Sequence, residues 1–322
     1  MNAVPIDAVA APHGAMAIET YALTKRFGDF TALDAVSIQV RPGTVHALLG
    51  ENGAGKSTLV KCIAGFHRPD QGAVICDGRE QDIANPWVAR ALGVGMVYQH
   101  FTLAPGMTVA ENLLLAGGQI PAWINWRSQR AALMDFLKST PFALDLDARP
   151  GELAAGEKQK LELLKQLYLK PRLLILDEPT SVLTPQEADE VLGHVREFAR
   201  SGQCTVLLIT HKFREVDAYA DDVTVLRRGR AVQHARGTDT TPAVLAQAMI
   251  GASGAASART DLGLAAEVGG NRPMASAGPV STQPYLELRQ LSVRGDRGTL
   301  AVDALNMQLH GGEILGVAGV SG

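Results

Sequence analysis

A glycine-rich segment with one lysine carries the strongest chemical signal in this sequence. Residues 50–57 read Gly-Glu-Asn-Gly-Ala-Gly-Lys-Ser, which matches the pattern GxxxxGK[ST]. Glycines let the backbone curl so that its N–H groups face phosphate oxygens, and a following helix adds positive potential at its N-terminus. Lys56 can reach the β- and γ-phosphates, and the Ser57 hydroxyl can ligate Mg²⁺. The segment therefore predicts a phosphate-binding loop for a nucleoside triphosphate.

The alternative interpretation of this segment is a glycine-rich turn with a solvated lysine. The neighbouring sequence favours the phosphate-binding loop, which requires a strand before it and a helix after it. Thr44–Leu49 (TVHALL) predicts the strand. A helix is predicted after Gly55, with one apolar face formed by Leu59, Cys62, Ile63 and Phe66.

Two adjacent acids follow an apolar run further along the chain. Leu173–Leu176 reads LLIL, and Asp177 and Glu178 come directly after it. An apolar run without alternation is typical of a strand buried on both faces of a parallel sheet. Carboxylates brought to such a place are costly unless they are used. Beside a phosphate-binding loop we expect Asp177 to hold Mg²⁺ through water and Glu178 to polarise the water that attacks the γ-phosphate. The alternative is a strand end with two exposed acids.

The elements that must position these residues alternate between strands and helices. Strands are predicted at Ala35–Val40, at Gly93–Tyr98 and at Thr205–Thr210 (TVLLIT), and residues 107–140 show helical spacing of leucines. Strands separated by helical stretches imply α/β crossovers. The sequence therefore predicts an α/β fold class.

Composition limits the kind of protein further. Of the 322 residues, 46% are hydrophobic and 20% are charged, and the net charge is −3. This is a globular composition, and the net negative charge disfavours a nucleic-acid partner. Three scattered cysteines make a poor disulfide framework, and no apolar run approaches the ~20 residues of a membrane helix. Residues 1–17 are expected to be a flexible N-terminal tail.

The second part of the chain repeats the first after a change of composition. Residues 251–284 are rich in Gly, Ala, Ser and Pro, which predicts a linker. Beyond it, Val302-Asp303-Ala304 echoes Leu33-Asp34-Ala35, and Gly319 and Gly322 echo Gly50 and Gly53, all at an offset of 269. A constant offset indicates an internal duplication. We expect residues 285–322 to be the truncated start of a second domain.

Several motifs follow the phosphate-binding loop in a fixed order. Gln99 comes after a predicted strand, LAAGE occupies 153–157, DEPTS occupies 177–181, and His211 comes after another strand. The ordered set resembles the ATP-binding subunits of ABC transporters. The resemblance covers residues 18–250 as one complete nucleotide-binding domain.

The resemblance implies a fold in more detail. It implies a P-loop NTPase core of the ABC ATPase type with an antiparallel β subdomain, drawn from about 18–49 and 70–80, and a helical subdomain at about 100–165. It also implies ATP and Mg²⁺ as cofactors. The residues expected to surround the phosphates are Gly50, Glu51, Asn52, Gly53, Ala54, Gly55, Lys56, Ser57 and Thr58. Mg²⁺ would be held by Ser57, Gln99 and, through water, Asp177.

Other site roles also come from the resemblance. Phe27 matches the aromatic residue that stacks on adenine, and its alternative is a core phenylalanine beside Leu23. Gln99 matches a glutamine that ligates Mg²⁺ and touches the water. His211 matches a histidine that contacts the γ-phosphate, so the implied catalytic set is Glu178, His211 and Gln99.

The LAAGE segment corresponds to the signature motif of that family. Its residues Leu153, Ala154, Gly156 and Glu157 would bind the γ-phosphate held by another nucleotide-binding domain, so active sites would be composite. Two positions depart from the family pattern: Ala154 stands in place of the usual serine, and Thr184 stands where an aspartate is common. Both bear on the activity of the site that this signature completes, and neither touches Lys56, Asp177 or Glu178.

The amino-acid sequences of three segments indicate a subfamily within this family. Residues 95–115, 153–169 and 180–187 look like the tandem ATPases of bacterial simple-sugar and nucleoside importers. The implied function is ATP hydrolysis that drives uptake through separate integral-membrane permease subunits, with a substrate-binding protein acting indirectly. The implied location is peripheral, on the cytoplasmic face of the inner membrane. The sequences QHF and LTPQE favour nucleosides over sugars as the transported substrate. The alternatives are a soluble ABC-type ATPase acting on ribosomes or nucleic acid, and a regulatory ATP-binding module with weak turnover.

Overall fold

The structure is a computed structural model that describes residues 14–118, 123–251, 284–294 and 300–316. Contacts divide the chain into two units, Met1–Leu262 and Gly263–Gly322. Most of the predicted tail and most of the predicted linker lie outside the described residues. Within the described ranges, no helix is both long enough and apolar enough to cross a membrane.

Strands and helices alternate along the first unit, as the sequence predicts. Their order is β1 (Ile18–Phe27), β2 (Phe30–Val40), β3 (Val45–Leu49), α1 (Lys56–Ile63), β4 (Gln71–Cys76), β5 (Arg79–Gln81), α2 (Pro86–Ala91), β6 (Val94–Val97), α3 (Val109–Gly117), α4 (Trp126–Lys138), α5 (Ala155–Tyr168), β7 (Leu173–Asp177), α6 (Pro185–Arg200), β8 (Thr205–Thr210), α7 (Phe213–Tyr219), β9 (Asp222–Arg227), β10 (Arg230–Arg236) and α8 (Pro242–Ile250).

A six-stranded sheet forms the centre of this unit, in the order β10-β9-β3-β8-β7-β6. Its strands are parallel except β10, which pairs antiparallel with β9. Every residue of β3, β7 and β8 is buried. The strands predicted at Leu173–Leu176 and Thr205–Thr210 are therefore confirmed, together with the α/β fold class. Because these strands are parallel, the loops after β3, β6, β7 and β8 leave the same edge of the sheet.

Side chains of β7 and β8 pack in two separate cores, one on each face of the sheet. Ile175, Leu207 and Ile209 belong to a cluster that includes Leu48 and Leu59. The alternate residues of the same strands belong to a second cluster with side chains of α3, α5 and α6; they are Leu174, Leu176, Val206 and Leu208. Successive side chains of a strand point to opposite faces, so an unbroken apolar run serves both cores at once.

A separate four-stranded antiparallel sheet has the order β2-β1-β4-β5. Ile18 pairs with Val40 of β2 and with Cys76 of β4. The antiparallel part that was expected from about 18–49 and 70–80 is present, but that range includes β3, which belongs to the parallel sheet. The correction follows from burial, because all five residues of β3 are buried and such strands suit a central parallel position.

Three details differ from the sequence expectations. Residues 14–17, which were assigned to the tail, pack on the core: Met16 is buried and its N–H donates to the Arg172 carbonyl at 3.2 Å. Phe66 is not on the apolar face of α1, because that helix ends at Ile63 and Gly65 follows with a left-handed φ of 77°. The helical spacing over 107–140 divides into α3 and α4.

The second unit contains one described hairpin, β11 (Pro284–Arg294) and β12 (Leu300–His310). Its register repeats that of β1 and β2: Leu286 pairs with Leu309 as Ile18 pairs with Val40. The irregularities repeat as well. The Gln290 N–H donates to Asn306 Oδ1 at 2.9 Å, as the Ala22 N–H donates to Ser37 Oγ at 2.9 Å.

The repeated hairpin refines the offset between the two copies. The second strand keeps the offset of 269 that was found in the sequence, since Asn306 corresponds to Ser37. The first strand runs at 268, since Leu286 corresponds to Ile18, so the connection between the strands is one residue longer in the second copy. The last echoes of the duplication, at Gly319 and Gly322, lie outside the described residues.

Candidate active site

The carboxyl-terminal edge of the parallel sheet opens into a cavity of about 290 Å³. Ligands of open α/β sheets bind outside this edge. The cavity gathers most residues that were predicted to meet the triphosphate. It is lined by Phe30, Ala32, Asn52, Gly53, Ala54, Gly55, Lys56, Ser57, Thr58, Gln99, Asp177 and Glu178.

At two positions of the loop between β3 and α1, neighbouring atoms leave no room for a Cβ atom, so glycine is required. A Cβ atom on Gly50 would lie 2.5 Å from the Leu226 carbonyl oxygen. Gly55, directly before α1, has a φ of 104°, and a Cβ there would lie 2.8 Å from the Ala32 carbonyl oxygen. Both neighbours are backbone atoms, which cannot move aside as a side-chain tip can. The loop therefore adopts a path that only glycine permits at these positions.

Lys56 lies inside the loop and is only 6% exposed. Its Nζ donates to the carbonyl oxygens of Gly50 at 2.7 Å and Glu51 at 3.0 Å. Burial lowers the pKa of Lys56, and the nearby charges of Glu178 and Asp177 oppose that shift. The ammonium group is thus held over the loop by neutral acceptors, which charged phosphate oxygens can replace with stronger hydrogen bonds.

Asp177, at the end of β7, is 8% exposed. Burial raises the pKa of this carboxyl, the neighbouring Glu178 raises it further, and Lys56 opposes both effects. Burial and a neighbouring negative charge both disfavour the ionised form of this carboxyl, so a cation bound beside it would stabilise the carboxylate.

The donors around Asp177 fit Mg²⁺ rather than a metal held by protein alone. The described residues contain no group of three or more His, Cys, Asp or Glu side chains arranged for a metal. Mg²⁺ is commonly held by one or two protein oxygens, with phosphate oxygens and water completing its shell. Ser57, Gln99 and Asp177 line the same cavity, so their oxygens suit that role.

Glu178 lies at the centre of a three-residue contact. Its Oε1 is 3.1 Å from Nδ1 of His211, and its Oε2 accepts a hydrogen bond from Nε2 of Gln99 at 3.4 Å. These residues follow β7, β8 and β6, which are adjacent in the sheet. The structure therefore brings together the three side chains that were assigned to catalysis.

The backbone of Glu178 is strained. Its φ is 48°, in the left-handed region that side chains other than glycine rarely adopt, while its N–H donates to the Ile209 carbonyl at 3.0 Å. Such a conformation costs on the order of 1–3 kcal/mol and persists where the surroundings enforce it. This left-handed conformation changes the direction of the chain directly after β7.

The aromatic residue predicted to meet adenine does not line the cavity. Phe27 is 45% exposed, so the alternative of a core phenylalanine is wrong. Its ring meets His67 edge-to-face at 5.3 Å, and Lys25 Nζ lies 5.6 Å from the ring centroid. The aromatic residue in the cavity wall is Phe30, which pairs with Phe27 across the β1–β2 turn. No motif in the sequence points to Phe30.

The signature residues lie at the start of α5 and do not line this cavity. Leu153 is buried, Ala154 is exposed, and the Glu157 carboxylate accepts a hydrogen bond from the Ala154 N–H at 2.9 Å. A Cβ on Gly156 would lie 2.2 Å from Oε1 of Glu187, so the start of α5 touches the first turn of α6.

Thr184 caps that neighbouring helix. Its Oγ1 accepts from the Glu187 N–H at 3.3 Å, and Oε2 of Glu187 accepts from the Thr184 N–H and hydroxyl, both at 2.9 Å. This is a reciprocal capping box. Threonine and aspartate both cap helices, so the replacement at this position preserves the local structure.

Two buried glutamates near the site were missed by the sequence analysis. Glu162 on α5 accepts hydrogen bonds from Thr102, in the segment after Gln99, and forms an ion pair with Lys165 at 3.1 Å. The second is Glu215, which is buried on α7. In the sequence, each of these glutamates stands among apolar positions of a helix. Because acids are rarely buried unless they are paired, this placement could have indicated a buried acid with a specific partner.

Comparison with known proteins gives a consistent result. The family model described as "ABC transporter" matches residues 33–181. The nucleoside import ATP-binding protein NupA of Lactococcus lactis subsp. cremoris is 37% identical over 307 residues, which are 95% of this chain and 57% of that protein. The ribose import ATP-binding protein RbsA of Burkholderia mallei is 38% identical over 309 residues, 93% of this chain and 56% of that protein. The chain thus spans just over half the length of these curated relatives.

Solved structures agree with the fold. The ADP conformation of MJ1267, an ATP-binding cassette of an ABC transporter, is 30% identical and superposes with a TM-score of 0.61. The match covers 69% of this chain and 91% of that one.

Proposed function

The chain belongs to the ATP-binding proteins of the ABC transporter family, and we propose that it hydrolyses ATP to drive an importer for a nucleoside or a simple sugar. The observation that carries the hydrolytic part is the contact of Glu178 with His211 and Gln99 beside the phosphate-binding loop. The importer part rests on the relatives, whose names specify nucleoside and ribose import.

The binding step uses the loop and the helix behind it. The N–H groups of residues 50–58 and the N-terminus of α1 offer positive potential to the triphosphate. Lys56 exchanges its two carbonyl partners for phosphate oxygens. Ser57, Gln99 and Asp177 would hold Mg²⁺, which neutralises phosphate charge during phosphoryl transfer.

The hydrolytic step uses the acid after β7. Glu178 accepts a hydrogen bond from the attacking water and orients it towards the γ-phosphorus. His211 and Gln99, already in contact with the carboxylate, fix its direction and meet the charge that develops on the phosphoryl oxygens. Groups held in place before the reaction supply most of the stabilisation in transfers of this kind.

A complete site requires a second nucleotide-binding domain in this proposal. Leu153, Ala154, Gly156 and Glu157 lie away from the cavity of their own domain, which suits a role at another domain's γ-phosphate. The repeated hairpin at β11 and β12 supports residues 285–322 as the beginning of such a domain. We expect the chain alone to bind MgATP and to hydrolyse it slowly unless copies pair.

The partners follow from the same proposal. Integral-membrane permease subunits would receive the motion of the two domains, and a substrate-binding protein would act through the permease. The chain would sit peripherally on the cytoplasmic face of the cell membrane. Of the two substrate classes, nucleosides and simple sugars, the sequences of residues 99–101 and 183–187 favour nucleosides.

A pull-down from detergent-solubilised membranes tests the importer proposal. The tagged protein should recover a polytopic permease. Disrupting the gene for this protein or the gene for that permease should abolish uptake of a labelled nucleoside or ribose. Recovery of ribosomes or nucleic-acid proteins in place of a permease would contradict the importer proposal and leave the ATPase chemistry standing.

A further inference from the structure

Glu215 is a buried acid that has no role in the mechanism described so far. It lies on α7 and is 5% exposed. Its Oε1 accepts a hydrogen bond from the Thr180 hydroxyl, and its Oε2 accepts one from the Thr210 hydroxyl at 2.7 Å. Lys212 Nζ lies 3.2 Å from Oε1. The carboxylate therefore joins Thr180, in the segment after β7, to Thr210 at the end of β8 and to Lys212 just before α7.

The hydrogen bonding of the two threonines calls for an acceptor at position 215. Thr210 Oγ1 already accepts from the Lys212 N–H at 3.1 Å, and Thr180 Oγ1 already accepts from Lys212 Nζ at 2.9 Å. Each hydroxyl therefore has its proton directed at Glu215. An ionised carboxylate only accepts, whereas an amide would present an NH₂ group to one of these donors.

The joined threonines flank the catalytic contact. Thr180 comes two residues after Glu178, and Thr210 comes directly before His211. The ladder between β7 and β8 ends at Asp177 and Ile209, and Glu178 then turns away with its left-handed φ. Beyond the ladder, the Glu215 carboxylate connects the two segments through their side chains.

We propose that Glu215 is a positioning residue for ATP hydrolysis: it fixes the segment that carries His211 against the turn that carries Glu178. The inference rests on the proposed hydrolytic function. Because Glu215 contacts neither the phosphate-binding loop nor Lys56, its loss should displace the catalytic contact and leave nucleotide binding intact. A displacement of about an ångström costs up to about 100-fold in rate.

The experiment compares Glu215→Gln with the wild-type full chain in steady-state ATP hydrolysis, at a protein concentration where the wild type turns over. The kcat should fall at least tenfold while KM and the affinity for a fluorescent ATP analogue stay within twofold. Glu197→Gln removes an acid from the exposed surface of α6 and should leave kcat, KM and the analogue affinity unchanged. An unchanged kcat for Glu215→Gln would overturn the inference.

A second comparison separates positioning from general destabilisation. In a His211→Ala background, Glu215→Gln should cost less than twofold, because the residue it positions is gone. Losses that multiply would instead assign Glu215 a structural role. If Glu215→Gln fails to fold, Thr210→Val replaces it, with Thr210→Ser as the variant that restores the hydroxyl and should recover kcat.

The wild-type and Glu178→Gln proteins serve as references for the underlying function. If Glu178→Gln turns over normally, the proposed hydrolytic function fails. If Glu178→Gln is inactive but Glu215→Gln is normal, only the positioning inference fails.

Discussion

The Nδ1 atom of His211 lies 3.1 Å from Oε1 of Glu178, although 33 residues separate them along the chain. The contact exists because β7 and β8 are parallel neighbours whose ends meet at one edge of the sheet. The fold itself brings the two side chains together, which is the arrangement expected of a preorganised site.

Replacing His211 should slow hydrolysis without weakening nucleotide binding. We expect His211→Ala to lower kcat by about 100-fold, the usual cost of removing one group that stabilises developing charge. ATP affinity should stay within a few-fold, because Lys56 and the loop amides are untouched. His194→Ala is the matched control, since His194 lies on α6 away from the cavity. Equal rates for the His211 variant and the control would contradict the role of His211.

The adenine partner can be assigned by comparing two phenylalanines. Phe27→Ala should weaken ATP binding by about 5- to 150-fold if its ring stacks on the base, since such a stack contributes about 1–3 kcal/mol. Phe30→Ala serves as the comparison, because Phe30 lines the cavity while Phe27 packs on His67. Titration with a fluorescent ATP analogue measures both. A loss of affinity confined to Phe30→Ala would transfer the role to Phe30.

The threonine that replaces the common aspartate should be a competent helix cap. Thr184→Ala removes the acceptor for the Glu187 N–H and should reduce the free energy of unfolding by about 1 kcal/mol. Thr184→Asp keeps an acceptor at the same place and should stay within about 0.5 kcal/mol of the wild type. Urea unfolding of the three proteins decides. A Thr184→Ala variant as stable as the wild type would show that the cap contributes nothing.

A buried histidine near the start of β3 should make the fold sensitive to acid. His46 on β3 is fully buried, its Nε2 lies 2.8 Å from the Thr224 hydroxyl, and its ring stacks on His234. Burial lowers the pKa of His46 from 6.5 to about 4, with His234 and Arg41 adding to the shift and Asp222 opposing it.

The direction of the pH effect follows from where the proton binds. Between pH 6.5 and about 4 the unfolded chain protonates His46 and the folded chain does not, so acidification favours unfolding in this window. The shift corresponds to roughly 3 kcal/mol. His46→Gln keeps a hydrogen-bonding group and cannot titrate, so wild-type stability should fall more steeply than that of the variant. Parallel urea midpoints at pH 7, 5.5 and 4.5 would contradict the prediction.

The sequence predicts best the features that depend on short segments. The runs at Leu173–Leu176 and Thr205–Thr210 lack alternation because both faces of their strands are buried, a pattern typical of central strands. The phosphate-binding loop is likewise recognised from one short pattern, GxxxxGK[ST]. The atoms that require glycine at positions 50 and 55 are the carbonyl oxygens of Leu226 and Ala32, which the pattern does not reveal.

Features that depend on distant partners were not predictable in the same way. Glu215 and Thr180 are 35 residues apart and meet only because α7 returns to the edge of the sheet. Met16 is buried through contacts of residues 14–17 with Arg172 and Gly202, which no local pattern announces. Phe66 was misplaced for a local reason, because Gly65 ends α1 before a fourth position of its apolar face can form.

The most direct test of the account is single-site replacement of the acid after β7. Glu178→Gln preserves size and removes the charge that we propose holds the attacking water. We predict that the variant binds MgATP with wild-type affinity and loses at least 100-fold in turnover under conditions where the wild type hydrolyses ATP. Lys56→Ala, by contrast, should lose binding itself. Undiminished turnover in Glu178→Gln would contradict the central claim that Glu178 activates water at this site.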